Sequence, residues 1–498
     1  MTQGNVHRTP KVDYAVLLLV LILAFYIAFV PHHNYPYPIH LDEWTHLACS
    51  NQIIKQAGVV SLTDPFSGGA PIHNQAQEVG FHLFWAVFHQ ISGIPWPTIF
   101  RYFPSIIFMF TVLSVYVLGQ RQGFGWEAAL FAALIPTTVG ILGPAFMVPT
   151  AMGLLFIPLS LFIAFNFRSW WSYIVLLIFA FLLMSVHAAT AVGLITILVP
   201  YILLNLKGNF RHSVAISLAL AIPFLISFVS FPWVFKMVLW QAKLLLIPQS
   251  IPAFVDVPRI THVYGYLPIL FCLLGTFFLA AKGGNRNYGL VLGLLALLVM
   301  LAIFFTFHYG IAHMYYRGLV YMMLMVSIVA GAGLMGVRKL TLPTGLSTRL
   351  KIPATINKNI GNVLCLVLIG ITLATCIPVR QNIPYYHMID DEDYEAFVWI
   401  TENIGSDYEK AILDPWKATA FTAITGKYIY TRIGEYPTDI DEKAYSFLRG
   451  GCEDTTFLRE NGISIIYTRW ECHNPDLKEV RKNIYLLKKP GEPEQSKF

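Results

Sequence analysis

Apolar residues run in long blocks through the first three-quarters of the chain, with polar residues confined to short breaks between them. About 20 apolar residues in helical form cross a hydrocarbon core, so each such block reads as a membrane-spanning helix. The pattern predicts eleven, near 14–30, 98–119, 125–143, 147–166, 171–187, 189–206, 212–231, 264–281, 288–307, 317–337 and 360–378. The narrowest breaks fall around Gly143–Pro149 and at His187. The first block follows Arg8 and Lys11 like a signal anchor, but no small-residue cleavage site comes after it, so it reads as retained.

Two breaks are wide. Residues 31–97 alternate polar turns with amphipathic stretches, and Leu41–Ala57 and Gln77–Ile91 read as helices lying along the membrane surface. Residues 232–263 combine the apolar run Val238–Ile247 with Pro248, Pro252 and Pro258. That mixture suits either a mobile loop over a site or a re-entrant packing element. From about residue 380 the pattern changes. Helices are expected at Ala396–Asn403 and Trp416–Thr425. Strands are expected at Lys410–Leu413, Tyr428–Thr431, Ile463–Thr468 and Ile484–Leu487, an alternation that means a small α/β domain.

Charge orients these elements. Only seven acidic residues precede position 390: Asp13, Asp42, Glu43, Asp64, Glu78, Glu127 and Asp256; the other 21 of 28 lie in the tail. With the N-terminus inside, 13 of the 19 Lys and Arg before residue 380 fall on cytoplasmic segments, a repeated positive-inside bias. The fold class expected is therefore a polytopic α-helical membrane protein of about eleven transmembrane helices with a C-terminal extracytoplasmic α/β domain. It divides into a membrane portion, 1–379, which includes the outer loops 31–97 and 232–263, and a soluble portion, 380–498. The localisation expected is multi-pass in the cell membrane, N-terminus cytoplasmic. The tail's 15 basic against 21 acidic residues give no footprint for nucleic acid. Cys272, Cys365 and Cys376 read as packing residues. Cys452 and Cys472 fall in a compartment that permits a disulfide.

Against this scarcity of carboxylates, the adjacent pair Asp42-Glu43 in His40-Leu41-Asp42-Glu43-Trp44-Thr45-His46 stands out. Ionised groups near lipid are costly and mark function. One of the two can accept a proton from a hydroxyl or ligate a divalent cation. The other can cap the helix that follows. Histidines cluster on the outer side: His40 and His46 flank the pair, His73, His82 and His89 follow, and His187, His308 and His313 lie at outer helix ends. They fit a metal or proton relay, or ordinary interfacial hydrogen bonding; no HxxxH pair or carboxylate–His spacing of a zinc site is read among them. His187, between two apolar runs, is expected to face a cavity, with His46, His73, Glu78 and Tyr264 as further lining candidates; Tyr264 also fits an interfacial belt. Arg317, with His308 and His313 as neighbours, is placed to hold a phosphate, and snorkelling is the alternative reading; Arg101 is a weaker example of the same argument. No nucleotide-binding or hydrolase signature is present.

An N-terminal span, a first outer loop bearing Leu41-Asp42-Glu43-Trp44-Thr45-His46-Leu47-Ala48, then Leu62-Thr63-Asp64-Pro65-Phe66 and Gly80-Phe81-His82-Leu83-Phe84-Trp85-Ala86, many further spans and an outer domain together resemble the GT-C glycosyltransferase superfamily. That group includes protein O-mannosyltransferases, aminoarabinose transferases and oligosaccharyltransferases. The resemblance implies an enzyme that moves a sugar from a polyprenyl-phosphate donor to an acceptor lipid, glycan or protein on the outer face. It implies Asp42 as base or metal ligand with Glu43 beside it, and Arg317, His313 and Arg101 on the donor phosphate. A divalent cation, Mg or Mn, is the cofactor it would carry. The stretch Gly143-Pro144-Ala145-Phe146-Met147-Val148-Pro149 lacks the second acidic motif of oligosaccharyltransferases, and the tail lacks their Trp-Trp-Asp motif. Both departures point to transfer of a monosaccharide. Two other classes remain: a lipid or small-molecule transporter or flippase, which requires ionisable groups within spans and repeated halves, and a non-catalytic scaffold, for which the acidic pair is dispensable.

Overall fold

The computed structural model describes residues 11–59, 62–68, 78–138, 141–230, 236, 239, 243, 247, 257–309, 312–341, 353–385, 387–434 and 437–489. The chain forms two compact units: residues 1–34 with 100–385, and residues 35–99 with 386–498.

The first unit is the membrane bundle. Among the described residues, eight helices are long and apolar enough to cross a bilayer, and Trp170–Val186 and Tyr266–Lys282 are shorter apolar helices. In chain order the early helices of the molecule are α1 (Lys11–Phe29), α2 (Leu41–Gln56), α3 (Val79–Ser92), α4 (Trp96–Gln120), α5 (Gly125–Ala132), α6 (Pro149–Asn166), α7 (Trp170–Val186), α8 (Ala188–Asn205) and α9 (Phe210–Ser230). Helices Tyr266–Lys282, Asn285–Phe307, Ala312–Arg338 and Ala354–Gln381 complete the bundle. Leu18, Leu19, Ile22, Leu366, Val367 and Ile371 stand exposed on their helices, as a lipid-facing surface requires. Tyr266–Lys282 and Ala312–Arg338 approach so closely that a Cβ on Gly275 would meet the Val329 carbonyl, and one on Gly333 the Phe271 carbonyl. Small residues permit such contact where lipid supplies no hydrophobic drive between helices. Buried Glu127 is paired with Arg338 at 2.8 Å.

One expected span is corrected. The helix predicted over 125–143 stops at Ala132, and eight residues rise only about 12 Å. Hydropathy continues past this point, but Pro136 and Pro144 cannot continue a helix. The irregular stretch that follows is buried, and side chains satisfy its backbone. Arg380 Nε donates to the Leu134 carbonyl at 2.8 Å. Tyr385 donates to the Thr137 carbonyl at 3.2 Å, Ala145 N–H donates to Thr137 Oγ1 at 2.8 Å, and His32 Nε2 lies 2.9 Å from the Ala145 carbonyl. Non-helical backbone at membrane depth survives only when protein supplies its partners. The loop expected at 232–263, with its run Val238–Ile247, lies largely outside the described residues.

The second unit is built on a five-stranded sheet of order β2-β1-β3-β5-β4. Its strands are β1 (Lys410–Ile412), β2 (Tyr428–Ile429), β3 (Ile465–Tyr467), β4 (Leu477–Arg481) and β5 (Ile484–Leu487). β1 runs parallel to β2 and β3; β5 runs antiparallel to β3 and β4. Helices Asp391–Asn403, Ala418–Thr425, Asp439–Arg449 and Thr455–Glu460 flank it. Cys452 and Cys472 form a disulfide, with α-carbons 5.1 Å apart. Residues of the first outer loop join this unit directly. Asn51 Nδ2 of α2 donates to the Ala423 carbonyl at 2.9 Å, and Ile429 N–H of edge strand β2 donates to the Phe66 carbonyl at 2.9 Å. Buried Asp393 ties the same unit together: Lys417 Nζ lies 2.7 Å from Oδ2, Tyr467 donates to Oδ1 at 2.7 Å, and Arg469 at 2.9 Å.

Candidate functional site

The start of α2 separates its two adjacent acids. His40 is the N-cap, in extended conformation, and Glu43 stands at the third helical position. Glu43 is fully buried and accepts the backbone N–H of Ile39 at 2.7 Å and of His40 at 3.0 Å. It closes a capping box, in which a side chain satisfies donors the first turn leaves unpaired. Asp42 points elsewhere. Its carboxylate is 41% exposed, 3.8 Å from His40 Nδ1, while its own N–H donates to that nitrogen at 3.1 Å. The half-exposed carboxylate is thus the one that reaches the surface, and its neighbour fixes the turn that carries it.

One turn further along, His46 is buried against α3. Its Nδ1 is 2.9 Å from His82 Nε2 and 3.8 Å from Glu78 Oε2. Glu78 occupies the N-cap position of α3 but makes no capping bond there. Burial, with His46 adding to it, holds the His82 imidazole well below its ordinary range, in the neutral form. Among the described residues, His46, Glu78 and His82 are the group that offers three metal-ligand atoms within 4.8 Å of one another. Asp42, the metal candidate from sequence, is not in it. Glu78 and His82 are four residues apart on α3, a carboxylate–histidine spacing that the sequence reading passed over; the third member comes from another helix, 36 positions before His82.

The other expected residues belong to the membrane unit, apart from His73, which lies outside the described residues. His187 ends α7 and starts α8. Its ring contacts Thr190 Oγ1 at 2.7 Å, Tyr321 OH at 3.3 Å and Thr150 Oγ1 at 3.4 Å, a buried polar knot within the bundle. Tyr264 is 2% exposed and its hydroxyl is 2.6 Å from Ser327 Oγ; its carbonyl accepts from Arg380 at 3.1 Å. Arg101 donates to the His33 carbonyl at 3.0 Å and lies 5.5 Å from the Tyr102 ring centre. Arg317 is half-buried in the first turns of Ala312–Arg338; His313 precedes it on the same helix, with its side chain outside the described residues.

No protein-family model and no curated protein matches the chain. Solved structures do. The oligosaccharyltransferase AglB from Archaeoglobus fulgidus, in complex with an inhibitory peptide and a dolichol-phosphate, aligns at TM-score 0.60 and 12% identity over 92% of this chain and 69% of that one. ArnT from Cupriavidus metallidurans, bound to undecaprenyl phosphate, aligns at TM-score 0.55 and 12% identity over 88% of each chain. The arabinofuranosyltransferase AftD from Mycobacteria aligns at TM-score 0.58 and 15% identity over 97% of this chain and 40% of that one. All three are glycosyltransferases of one architecture. The chain has the GT-C fold.

One residue near Asp42 has no counterpart among the residues expected from sequence. Arg432, in the segment after β2, donates to Thr45 Oγ1 of α2 at 3.3 Å and stacks 3.7 Å from the Phe66 ring centre. Burial lowers its guanidinium below the ordinary range, and the charges of Asp64 and Asp42 oppose that shift. Nothing in the sequence marks it, because it meets α2 only through the packing of the loop against the tail.

Proposed function

We propose that the chain is a glycosyltransferase moving a monosaccharide from a polyprenyl-phosphate donor to an acceptor lipid, glycan or protein on the extracytoplasmic face of the membrane. The carrying observation is the division at the start of α2, where Glu43 is withdrawn into capping and Asp42 stays half exposed. The GT-C fold supports glycosyl transfer in general, and the neighbours solved with dolichol-phosphate and with undecaprenyl phosphate support the class of donor.

The chemistry is a displacement at the anomeric carbon. The acceptor oxygen forms a bond to that carbon as its proton passes to the Asp42 carboxylate. The bond from the carbon to the phosphate oxygen breaks, and the electron pair leaves on the phosphate. Arg317, with His313 and Arg101, is the cationic set proposed for that phosphate, since fixed positive charge where negative charge develops lowers the barrier. His46, His73, Glu78, His187 and Tyr264 are the residues proposed to shape the substrate path. A divalent cation adds fixed positive charge when bound, and His46, Glu78 and His82 are the described residues that fit one.

The test is sugar transfer by purified protein in lipid with a panel of polyprenyl-phosphate sugars, and Asp42→Asn alongside. Transfer by the wild type that is lost in a folded Asp42→Asn supports the reading. Full transfer by Asp42→Asn sinks the assignment of the base.

A further inference from the structure

Two buried imidazoles facing each other at 2.9 Å are an unusual use of histidine in a core. The two rings share an N–H···N bond, and the Glu78 carboxylate stands 3.8 Å from the same His46 nitrogen. The spacing has another meaning. Ligands at about 2.0–2.1 Å from a tetrahedral zinc ion stand roughly 3.3 Å from one another. The distances of 2.9 and 3.8 Å from His46 Nδ1 bracket that value. His46 and His82 are 8% and 2% exposed, so both imidazoles are shielded from solvent. Glu78 is 29% exposed at its side chain, which leaves the cluster open on one side for entry and for a fourth ligand.

The donor set also selects the metal. Mg and Ca take sets made of oxygen, whereas two imidazoles and one carboxylate suit zinc and its transition-metal neighbours. We infer that His46, Glu78 and His82 bind one zinc-class divalent ion that clamps α2 to α3. This deepens the cation of the proposed function: it names the ligands and moves the metal from Mg or Mn, with oxygen ligands around Asp42, to an imidazole site one turn along the same helix. The clamp acts on Asp42 as a positioning device, because Asp42 and His46 share a face of α2 at four-residue spacing.

The experiment needs no sugar donor, so its failure is separate from any failure of the transferase reading. Full-length protein is purified in detergent without chelator or histidine tag, and its metal content is measured by elemental mass spectrometry. One zinc per chain is expected. After chelation, cobalt(II) refilling should give the visible absorption bands of a low-coordinate nitrogen–oxygen site. Glu78→Gln and His82→Ala should lose both readouts. If His82→Ala fails to fold, Glu78→Gln, at a half-exposed position, decides the matter. Wild-type protein that holds no zinc and takes up no cobalt overturns the inference. So does a Glu78→Gln variant that takes up cobalt with the wild-type spectrum and affinity.

Discussion

Replacing each member of the acidic pair in turn should separate folding from chemistry. Glu43→Ala removes the acceptor of two backbone N–H groups, at Ile39 and His40, in a place fully shielded from water. A buried donor left unpaired costs about 1–3 kcal/mol, so the two together give about 2–6 kcal/mol. Folded proteins are typically stable by only about 5–15 kcal/mol, so the loss is a large share of the whole. Glu43→Gln keeps the volume and one acceptor oxygen and should fall between the variant and the wild type. Asp42→Asn keeps the shape of a half-exposed side chain. Its main cost is the lost interaction with the helix N-terminus, about 0.3–1 kcal/mol. The assay is thermal unfolding in detergent, followed by intrinsic fluorescence and gel filtration, paired with transfer activity at a temperature where every variant is folded. The expected order of stability is wild type, Asp42→Asn, Glu43→Gln, Glu43→Ala, with transfer abolished in Asp42→Asn alone among the folded proteins. Glu43→Ala that unfolds with the wild type would refute the capping argument. Glu43→Ala that is folded yet inactive, with Asp42→Asn active, would exchange the two roles.

Three further outcomes are expected. Arg380→Ala leaves the buried Leu134 carbonyl without its donor, while the Tyr264 carbonyl keeps the Cys376 thiol, and should cost about 1–3 kcal/mol, seen as a lower unfolding temperature than Arg380→Lys; equal unfolding temperatures for wild type and Arg380→Ala would contradict it. Arg432→Met removes a cation whose charge Asp42 feels, so the acidic limb of the pH–rate profile should move to higher pH, while an unmoved limb would place Arg432 outside the chemistry. The hydrogen bond from Arg469 at 2.6 Å holds the Asp390 carboxyl below its ordinary range, and a group depressed on folding stabilises the native state above its unfolded value, near pH 4. That contribution should fade as pH drops below 4, and Arg469→Met should flatten the dependence of unfolding temperature on pH there; an unchanged slope would argue against the pair.

Much of the bundle was legible because lipid imposes a simple code. A helix that must satisfy its own backbone in hydrocarbon needs a long apolar run, and a run is visible residue by residue. The same code failed after Ala132, where the apolar run continues although the backbone bonds are met by His32, Arg380 and Tyr385, distant in sequence. β4 was missed for the opposite reason: Leu477–Arg481 carries Lys478, Glu479 and Arg481 on a sheet edge, where solvent accepts charge and no alternation is needed. At the candidate site, Asp42 and Glu43 were visible as rare acids in an apolar chain, but their separate orientations depend on where His40 places the helix start. The meeting of His46 with Glu78 and His82 required two helices to pack, and the meeting of Arg432 with α2 required the first loop to fold against the tail. Periodicity along one element carries no information about either.

The irregular stretch after α5 also constrains how this protein can be made. Its carbonyls are answered by a histidine near the start of the chain and by an arginine and a tyrosine beyond residue 379. While the ribosome is still working through the later spans, Leu134 and Thr137 therefore sit in or beside the bilayer with their partners not yet synthesised. The segment has to wait, in the insertion machinery or in contact with water, until the last span arrives. The membrane bundle consequently closes late and from the C-terminal end, and the helix that completes it is the one that delivers Arg380.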